Sequence, residues 1–141
     1  MPVSVGNRIA AKAVDFIVMI FFAAVLPTFF GPLLGFLYII CSDGNPLEHW
    51  KGQSLGKKLM GLQVRNQVRK APTNWKDSAI RNSPVGIGAF FLMIPVWGWI
   101  LAFLVGVPFL VLELYLMVRI DRGHRLGDVM ADTEVIMLAA K

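Results

Sequence analysis

Charged residues inside otherwise apolar stretches are the first candidates for chemistry in this sequence. Arg8, Lys12 and Asp15 all lie within the apolar stretch of residues 7–26. At about 100° per helical residue, Arg8 and Asp15 project roughly 20° apart with Lys12 beside them, so the three form one polar stripe. A charge at membrane depth costs about 2.5–3.5 kcal/mol by insertion scales, so we expect these groups to face protein or water and to pair.

Two buried carboxylates are predicted within the apolar stretches. Asp15 could be neutralised by Lys12 or Arg8, or it could exchange a proton or bind a cation; the residues favour neither, because burial and nearby cations act on the carboxylate in opposite directions. Glu113 is flanked by leucines, and we expect Lys12 or Arg8 to be its partner across the bundle. An unpaired carboxylate there would be costly to keep ionised.

A third group of acidic and imidazole side chains follows the last apolar stretch. Asp121, His124 and Asp128 are close together in the chain, but their spacing matches no standard pattern of metal ligands. The sequence therefore predicts no metal site. Asp128 is instead expected to pair with Arg8 or Arg81 at the cytoplasmic mouth of the bundle.

The segment GQSLGKK, residues 52–58, invites comparison with a phosphate-binding loop. The Walker pattern needs four residues between its glycines and ends in Gly-Lys-Ser/Thr, whereas here three residues intervene and the last position is Lys58. We expect Lys57, Lys58, Arg81 and Arg125 to contact anionic lipid headgroups instead. Without a catalytic Ser/His/Asp or Cys/His set, the sequence predicts neither an enzyme nor a cofactor.

The elements that must position these groups are membrane helices. The chain is 56% hydrophobic and only 16% charged, with a mean hydropathy of +0.62, whereas soluble domains carry about 25% charged residues. Residues 16–41 and 82–112 contain no charge at all, and uncharged apolar runs of this length indicate membrane spans. The net charge of +5 is explained by an anionic lipid surface more simply than by nucleic acid.

The positions of the charges predict four spans rather than two. With four spans, all 14 Lys and Arg residues lie on one side of the membrane, as the positive-inside rule requires. The fold class is therefore all-α: an integral membrane bundle of four transmembrane helices in two hairpins, with both termini cytoplasmic. The predicted boundaries are 7–26, 31–47, 84–99 and 101–120 for the spans, 48–83 for a basic cytoplasmic connector, and 121–141 for a cytoplasmic tail.

Local patterns suggest further structure outside and within the spans. Residues 62–65 alternate like a short strand, and residues 134–140 alternate weakly and could pack on it. Residues 74–81 are typical of a brief interfacial helix. Pro95 and Pro108 are expected to kink the helices of the second hairpin.

Taken together, these residues resemble the RDD family of small bacterial and archaeal membrane proteins. The arginine, the first aspartate and the later aspartate of that family correspond to Arg8, Asp15 and Asp128. Residues 52–64 are similar to its GQTLGK-type segment, and Arg81 and residues 125–135 to its two other blocks. The resemblance covers essentially the whole chain and implies a single membrane domain over residues 1–141. It also implies a general role in transport, with sodium/proton exchange for some members.

The function predicted from these observations is a small, cation- or proton-coupled transporter-like protein of the bacterial inner membrane. Arg8, Asp15 and Asp128 would form its charge network, with Lys12 and Glu113 as further members. Because four short helices enclose little volume, we expect a homo-oligomer. The alternative is a non-transporting scaffold or accessory subunit, in which the same charges fix the helix register and the protein binds a partner protein or anionic lipid.

Overall fold

A computed structural model describes residues 3–26, 29–119 and 124–138, and the fold is mostly helical. The α-helices are α1 (Val5–Val25), α2 (Phe30–Cys41), α3 (Leu55–Leu59), α4 (Trp75–Phe91), α5 (Gly98–Leu101), α6 (Val107–Arg119) and α7 (Leu126–Met130). Single 3₁₀ turns occupy Ser42–Gly44 and Glu48–Trp50, and a π-helical segment, Ala102–Gly106, joins α5 to α6. The strands are β1 (Leu62–Asn66), β2 (Ala71–Pro72) and β3 (Thr133–Met137).

Four helical segments pack side by side as a bundle. α1 packs on α2, α2 packs on α4, and α4 packs on the π-helical segment and α6. The last of these contacts depends on two glycines: a Cβ atom added to Gly88 would lie only 2.9 Å from the Cα atom of Gly106. Without side chains at these positions, the two backbones approach closely, and α6 is held beside α4.

A small antiparallel sheet lies against one end of the bundle, so the prediction of an all-α fold was incomplete. The strand order is β2-β1-β3, and Val64 in β1 stands opposite Val135 in β3. The pairing predicted between the connector and the tail is confirmed. Leu62 and Val64 are fully buried, because a strand that alternates in polarity buries one face when a surface is available to cover it.

Among the described residues, one helix is long and apolar enough to cross a membrane by length and composition. It is the continuous rod Gly98–Arg119, with a mean hydropathy of 2.4 in its most apolar window. Phe30–Gly44 is apolar but shorter, and α1 carries the three charges described above. Length and composition alone therefore identify one membrane-capable helix rather than the four predicted.

The helix before the second hairpin is longer than predicted, because α4 runs unbroken from Trp75 through Pro84. Asn74 and Asp77 form a capping box at its start, which satisfies two backbone N–H groups that the first turn leaves without partners. Pro84 removes the hydrogen bond to the carbonyl of Ile80, and the Ser83 hydroxyl donates to that carbonyl instead, at 2.7 Å. The brief interfacial helix and the first part of the predicted span 84–99 are thus one element, which ends at Phe91, because a turn occupies residues 92–97 before α5.

The two prolines of the second hairpin differ in their effects. Pro95 does not kink a helix, because α4 has already ended at Phe91 and Pro95 lies in the turn that follows. Pro108 is the second residue of α6 and comes directly after the π-helical segment. A π-helical turn is a common way to accommodate a proline within an otherwise continuous rod.

Candidate functional site

Asp128 is the centre of a buried network of ion pairs at the sheet end of the bundle. Its carboxylate accepts hydrogen bonds from Arg8 Nη2 at 2.5 Å, from Arg81 Nε, and from Arg125 Nε at 3.3 Å. The Arg125 backbone N–H also donates to it, at 3.3 Å, which caps α7. Asp128 is therefore paired with both of the arginines considered for it, and with a third.

Gly127 allows this arrangement by bringing α7 directly onto α4. A Cβ atom at this position would overlap the carbonyl oxygen of Arg81. The next residue along the chain is Asp128, so the close contact places its carboxylate against the Arg81 guanidinium. The Leu-Gly-Asp sequence thus positions the centre of the network.

Asp43 is a second acceptor in the same network. It receives hydrogen bonds from Lys57 Nζ, from Arg81 Nη1 at 3.0 Å and from Asn82 Nδ2 at 3.2 Å. Arg81 thereby bridges Asp43 and Asp128, and it is only 1% exposed. One arginine on α4 joins the end of α2 to α7.

Arg125 extends the network to the fourth helical segment. Its Nη1 atom donates to Glu113 Oε2 at 3.1 Å, and its Nη2 atom donates to Asn82 Oδ1 at 3.0 Å. Glu113 therefore pairs with Arg125 rather than with Lys12 or Arg8, the partners predicted from its depth in the helix. The reason is that α7 returns to the bundle after α6 and presents Arg125 beside Glu113.

Burial and neighbouring charges shift the pKa values of three network members that lie outside the predicted spans. Burial raises the pKa of the Asp128 carboxyl, but Arg81, Arg125 and Arg8 outweigh burial and hold this pKa well below its usual range. For Arg125, burial is likewise outweighed, and Glu113 and Asp128 raise its pKa above the ordinary value. Burial lowers the pKa of the Lys57 ammonium, although Asp43 opposes that effect. Asp128 and Arg125 are therefore ionised at neutral pH.

Asp15 is held by neutral donors rather than by Lys12 or Arg8. Its carboxylate accepts hydrogen bonds from the Tyr38 hydroxyl at 2.8 Å, the Ser54 hydroxyl at 2.6 Å and the Gly56 amide at 2.9 Å. Within the part of the chain that the structure describes, no Lys or Arg forms an ion pair with it. Arg8 is drawn to Asp128 instead, and Asp15 ties α1 to α2 and to the glycine-rich segment.

Residues 52–58 connect α1 with β1 and do not have the form of a phosphate-binding loop. Gly52 has a φ angle of +69°, which favours glycine. The Gln53 side chain donates to the carbonyl of Leu62 at 2.7 Å, and Ser54 caps α3. A Cβ atom on Gly56 would overlap the carbonyl oxygen of Ala11, so this glycine allows α3 to lie directly on α1.

Replacing Asp15 with alanine is expected to lower the free energy of unfolding by about 2–4 kcal/mol, because three donors in or near the core lose their acceptor. Thermal unfolding of the purified protein in detergent would measure the loss. Asp15→Asn keeps an acceptor oxygen in place and should cost clearly less. If the two variants were equally destabilised, the hydrogen bonds to Asp15 would not be what holds α3 on α1.

Lys12 and Glu113 are the incompletely paired members of the site. Glu113 Oε1 is buried and has no hydrogen-bond partner among the described residues. Lys12 is half-buried, its ammonium lies 5.5 Å from the centre of the Phe16 ring, and no described carboxylate lies within 4.0 Å of it. Ionisable groups at this depth that lack full pairing are candidates for function.

A cavity of about 20 Å³ lies among these side chains. The charged residues that line it, within the described ranges, are Arg8, Lys12, Lys57, Arg81 and Arg125. The remaining walls are apolar and come from Ala11, Leu62, Met117 and Val135. A space of this size accommodates one water-sized atom.

The four residues predicted to contact lipid headgroups occupy different environments. Lys57, Arg81 and Arg125 are buried, and each has a carboxylate partner in the network. This differs from the predicted interface position, because buried carboxylates attract these side chains inward. Lys58 instead lies 3.7 Å from the centre of the Trp50 ring, in a cation–π contact at the surface.

Asp43 and Asn82 are the principal members of the site that sequence reasoning missed. Asp43 lies in a Ser-Asp-Gly-Asn-Pro stretch that resembles an ordinary polar turn, yet it is 1% exposed. The sequence offered one indication of its role. If Lys57 and Arg81 are buried, each needs a carboxylate partner. Asp121 lies outside the described residues; within the rest, no cluster of three His, Cys, Asp or Glu residues could hold a metal.

The helical bundle, with its apolar rod and its buried charges, has the character of a membrane-associated protein. The sequence model of the RDD family matches residues 2–132, and the chain belongs to this family. The resemblance carried by Arg8, Asp15 and Asp128 is thus confirmed. Comparison with curated proteins and with solved structures gave no significant match.

Proposed function

We propose that this protein is a small, four-span transporter-like protein of the bacterial inner membrane, and that proton exchange at Glu113 drives its activity. The proposed spans are α1, the apolar segment Phe30–Gly44, α4 and the rod Gly98–Arg119, with a cytoplasmic connector between the second and third and with both termini in the cytoplasm. In this proposal the protein is not an enzyme. Membrane lipids are its immediate surroundings, and a second copy of the chain is its expected partner.

The outward faces of the helices support membrane insertion beyond the single apolar rod. Large apolar side chains are exposed along the bundle, including Ile17, Phe21, Phe30, Phe103 and Leu104. Exposed apolar surface on this scale indicates contact with lipid or with another protein. Arg8 and Asp15, which make α1 too polar for a simple span, are both buried inside the bundle and so are kept away from lipid.

The observation that carries the proposed chemistry is the unused oxygen of Glu113. Arg125 Nη1 occupies Oε2, whereas Oε1 is buried without a partner in the described part of the chain. A buried acceptor with no donor costs free energy, and a proton that binds there removes part of that cost. Asp15, Asp43 and Asp128 each accept several hydrogen bonds, so Glu113 is the carboxylate with capacity left.

A proton suits this position better than a metal cation. Hard cations require several oxygen ligands, but the polar neighbours of Glu113 are the Arg125 guanidinium and, through it, Asn82. Lys12 provides the second ionisable group, on the facing helix α1. Protonation of Glu113 would weaken its attraction to Arg125 and alter the charge balance around Lys12, which links a proton to the packing of α7.

Proton flux in proteoliposomes tests this proposal. Wild-type protein should acidify or alkalinise the vesicle lumen when a sodium or potassium gradient is imposed, and Glu113→Gln should abolish the flux while keeping an acceptor for Arg125. Glu48→Gln, which alters an exposed carboxylate, is the matched control and should retain full flux. Asp15→Asn tests the alternative that Asp15, rather than Glu113, exchanges the proton.

Oligomeric state and thermal unfolding should be measured on the same preparations. Flux that persists in folded Glu113→Gln would remove Glu113 from the mechanism. Flux that is lost only in Asp15→Asn would transfer the coupling role to that residue.

A scaffold or accessory subunit is the second candidate, and the closed network favours it. Arg81 links Asp43 and Asp128, and Arg125 links Asp128 and Glu113, so the turn after α2 is tied to α4, α6 and α7. A rigid bundle of this kind could present a surface to a partner protein or to anionic lipid. Absence of flux from well-folded wild-type protein, together with a co-purifying protein or lipid, would support this candidate.

A further inference from the structure

The charged walls of the 20 Å³ cavity have one sign. Side chains from α1, α3, α4 and the residue before α7 converge on it, and the five ionisable side chains among its described lining residues are all Lys or Arg. Asp43 and Asp128 pair with four of these residues but are not among the described residues that line the cavity. Like charges directed at one small space repel each other, and burial strengthens the repulsion.

The described charges of the network also leave a positive surplus. Four buried cations, Arg8, Lys57, Arg81 and Arg125, match four buried carboxylates, Asp15, Asp43, Glu113 and Asp128. Lys12 is additional to this balance and has no carboxylate within 4.0 Å among the described residues. A cation that is partly removed from water and has no counter-charge beside it is stabilised by a nearby anion, so a negative ion at this point would stabilise the site.

We propose that the cavity lined by Arg8, Lys12, Lys57, Arg81 and Arg125 binds a single monatomic anion of the halide class. Its size selects the ligand, because a space for one water-sized atom excludes phosphate and lipid headgroups. Guanidinium and ammonium N–H groups supply charge-assisted hydrogen bonds, while Ala11, Leu62, Met117 and Val135 exclude competing water. Glu113 does not line the cavity, although its partner Arg125 does, and halide binding can be measured without any proton flux.

Halide-dependent stability of the purified full-length protein tests the site. Thermal unfolding would be followed in detergent during titration with sodium bromide or sodium chloride, with sodium gluconate added to hold the ionic strength constant. We expect the unfolding temperature to rise saturably with either halide and to be unaffected by sulfate or phosphate. The same unfolding temperature in halide and gluconate would overturn the proposal.

Three variants locate the effect within the protein. Lys12→Met removes the surplus charge and should weaken the apparent halide affinity at least about tenfold, whereas Lys58→Met removes an exposed lysine and should leave it unchanged. Val135→Ile keeps every charge and adds one methylene group at the cavity wall, so it should also weaken halide binding. Equal halide responses in Val135→Ile, Lys58→Met and wild type would exclude this cavity, even if Lys12→Met failed to fold.

Discussion

Replacing Asp128 with asparagine is expected to lower the free energy of unfolding by about 3–5 kcal/mol, because it removes the charge that three buried arginines share. Arg8, Arg81 and Arg125 would remain buried without the carboxylate that they share, and only Asp43 and Glu113 would still offset the repulsion between them. The unfolding temperature in detergent should fall by about 10 °C. This is one of the two largest effects that the structure predicts for a single substitution.

The matched control for this experiment is Glu48→Gln. Glu48 also forms an ion pair, with Lys51 at 3.9 Å, but both side chains are largely exposed, and surface pairs contribute little to stability. We expect its unfolding temperature to match that of wild type. If Asp128→Asn were as stable as Glu48→Gln, the buried network would not be what holds α7 to the bundle.

Gly127→Ala is expected to be about as harmful, although it changes no charge. The added methyl group would overlap the carbonyl oxygen of Arg81, and α7 would have to move away from α4. Overpacking of this kind costs about 1–3 kcal/mol by itself, and here it also separates Asp128 from Arg81. Thermal unfolding should therefore show a loss close to that of Asp128→Asn.

A second Gly→Ala substitution separates the effect of steric overlap from the effect of alanine on helix propensity. Gly6→Ala lies in α1, where, among the described residues, the Ser4 hydroxyl is the only neighbour outside the backbone of α1 within 4 Å of the added methyl group. Alanine favours a helix relative to glycine by about 1 kcal/mol, so this variant should be neutral or slightly stabilised. A large loss in Gly6→Ala, or none in Gly127→Ala, would contradict the role given to close backbone contact.

The charged residues of the site could be identified from the sequence, whereas most of their partners could not. Arg8, Asp15 and Asp128 stood out because they were charges in or beside apolar stretches. The pairing of Arg8 with Asp128 joins residues 120 positions apart, and it was accessible only because few buried groups of opposite sign were available. Helical periodicity placed side chains on faces but did not specify which helices would meet.

The errors have identifiable physical causes. Glu113 was assigned to Lys12 or Arg8 by depth along straight helices, but α7 folds back and brings Arg125 closer. Lys12 and Arg8 were the partners considered for Asp15, yet its carboxylate accepts hydrogen bonds from Tyr38, Ser54 and the Gly56 amide. Hydroxyl and backbone N–H donors carry no charge, so the sequence did not identify them as the partners of Asp15. Asp43 was missed because its burial depends on contacts made by α3 and α4.

The pairing of β1 with β3 has a consequence for how the protein is made. Arg8 and Arg81 are synthesised well before Asp128, so their ion pairs with Asp128 cannot form until that residue has been made. β1 likewise lacks its partner strand until residues 133–137 are available. Lys57 can pair with Asp43 earlier, whereas the network and the sheet are completed only after translation of residues 125–137.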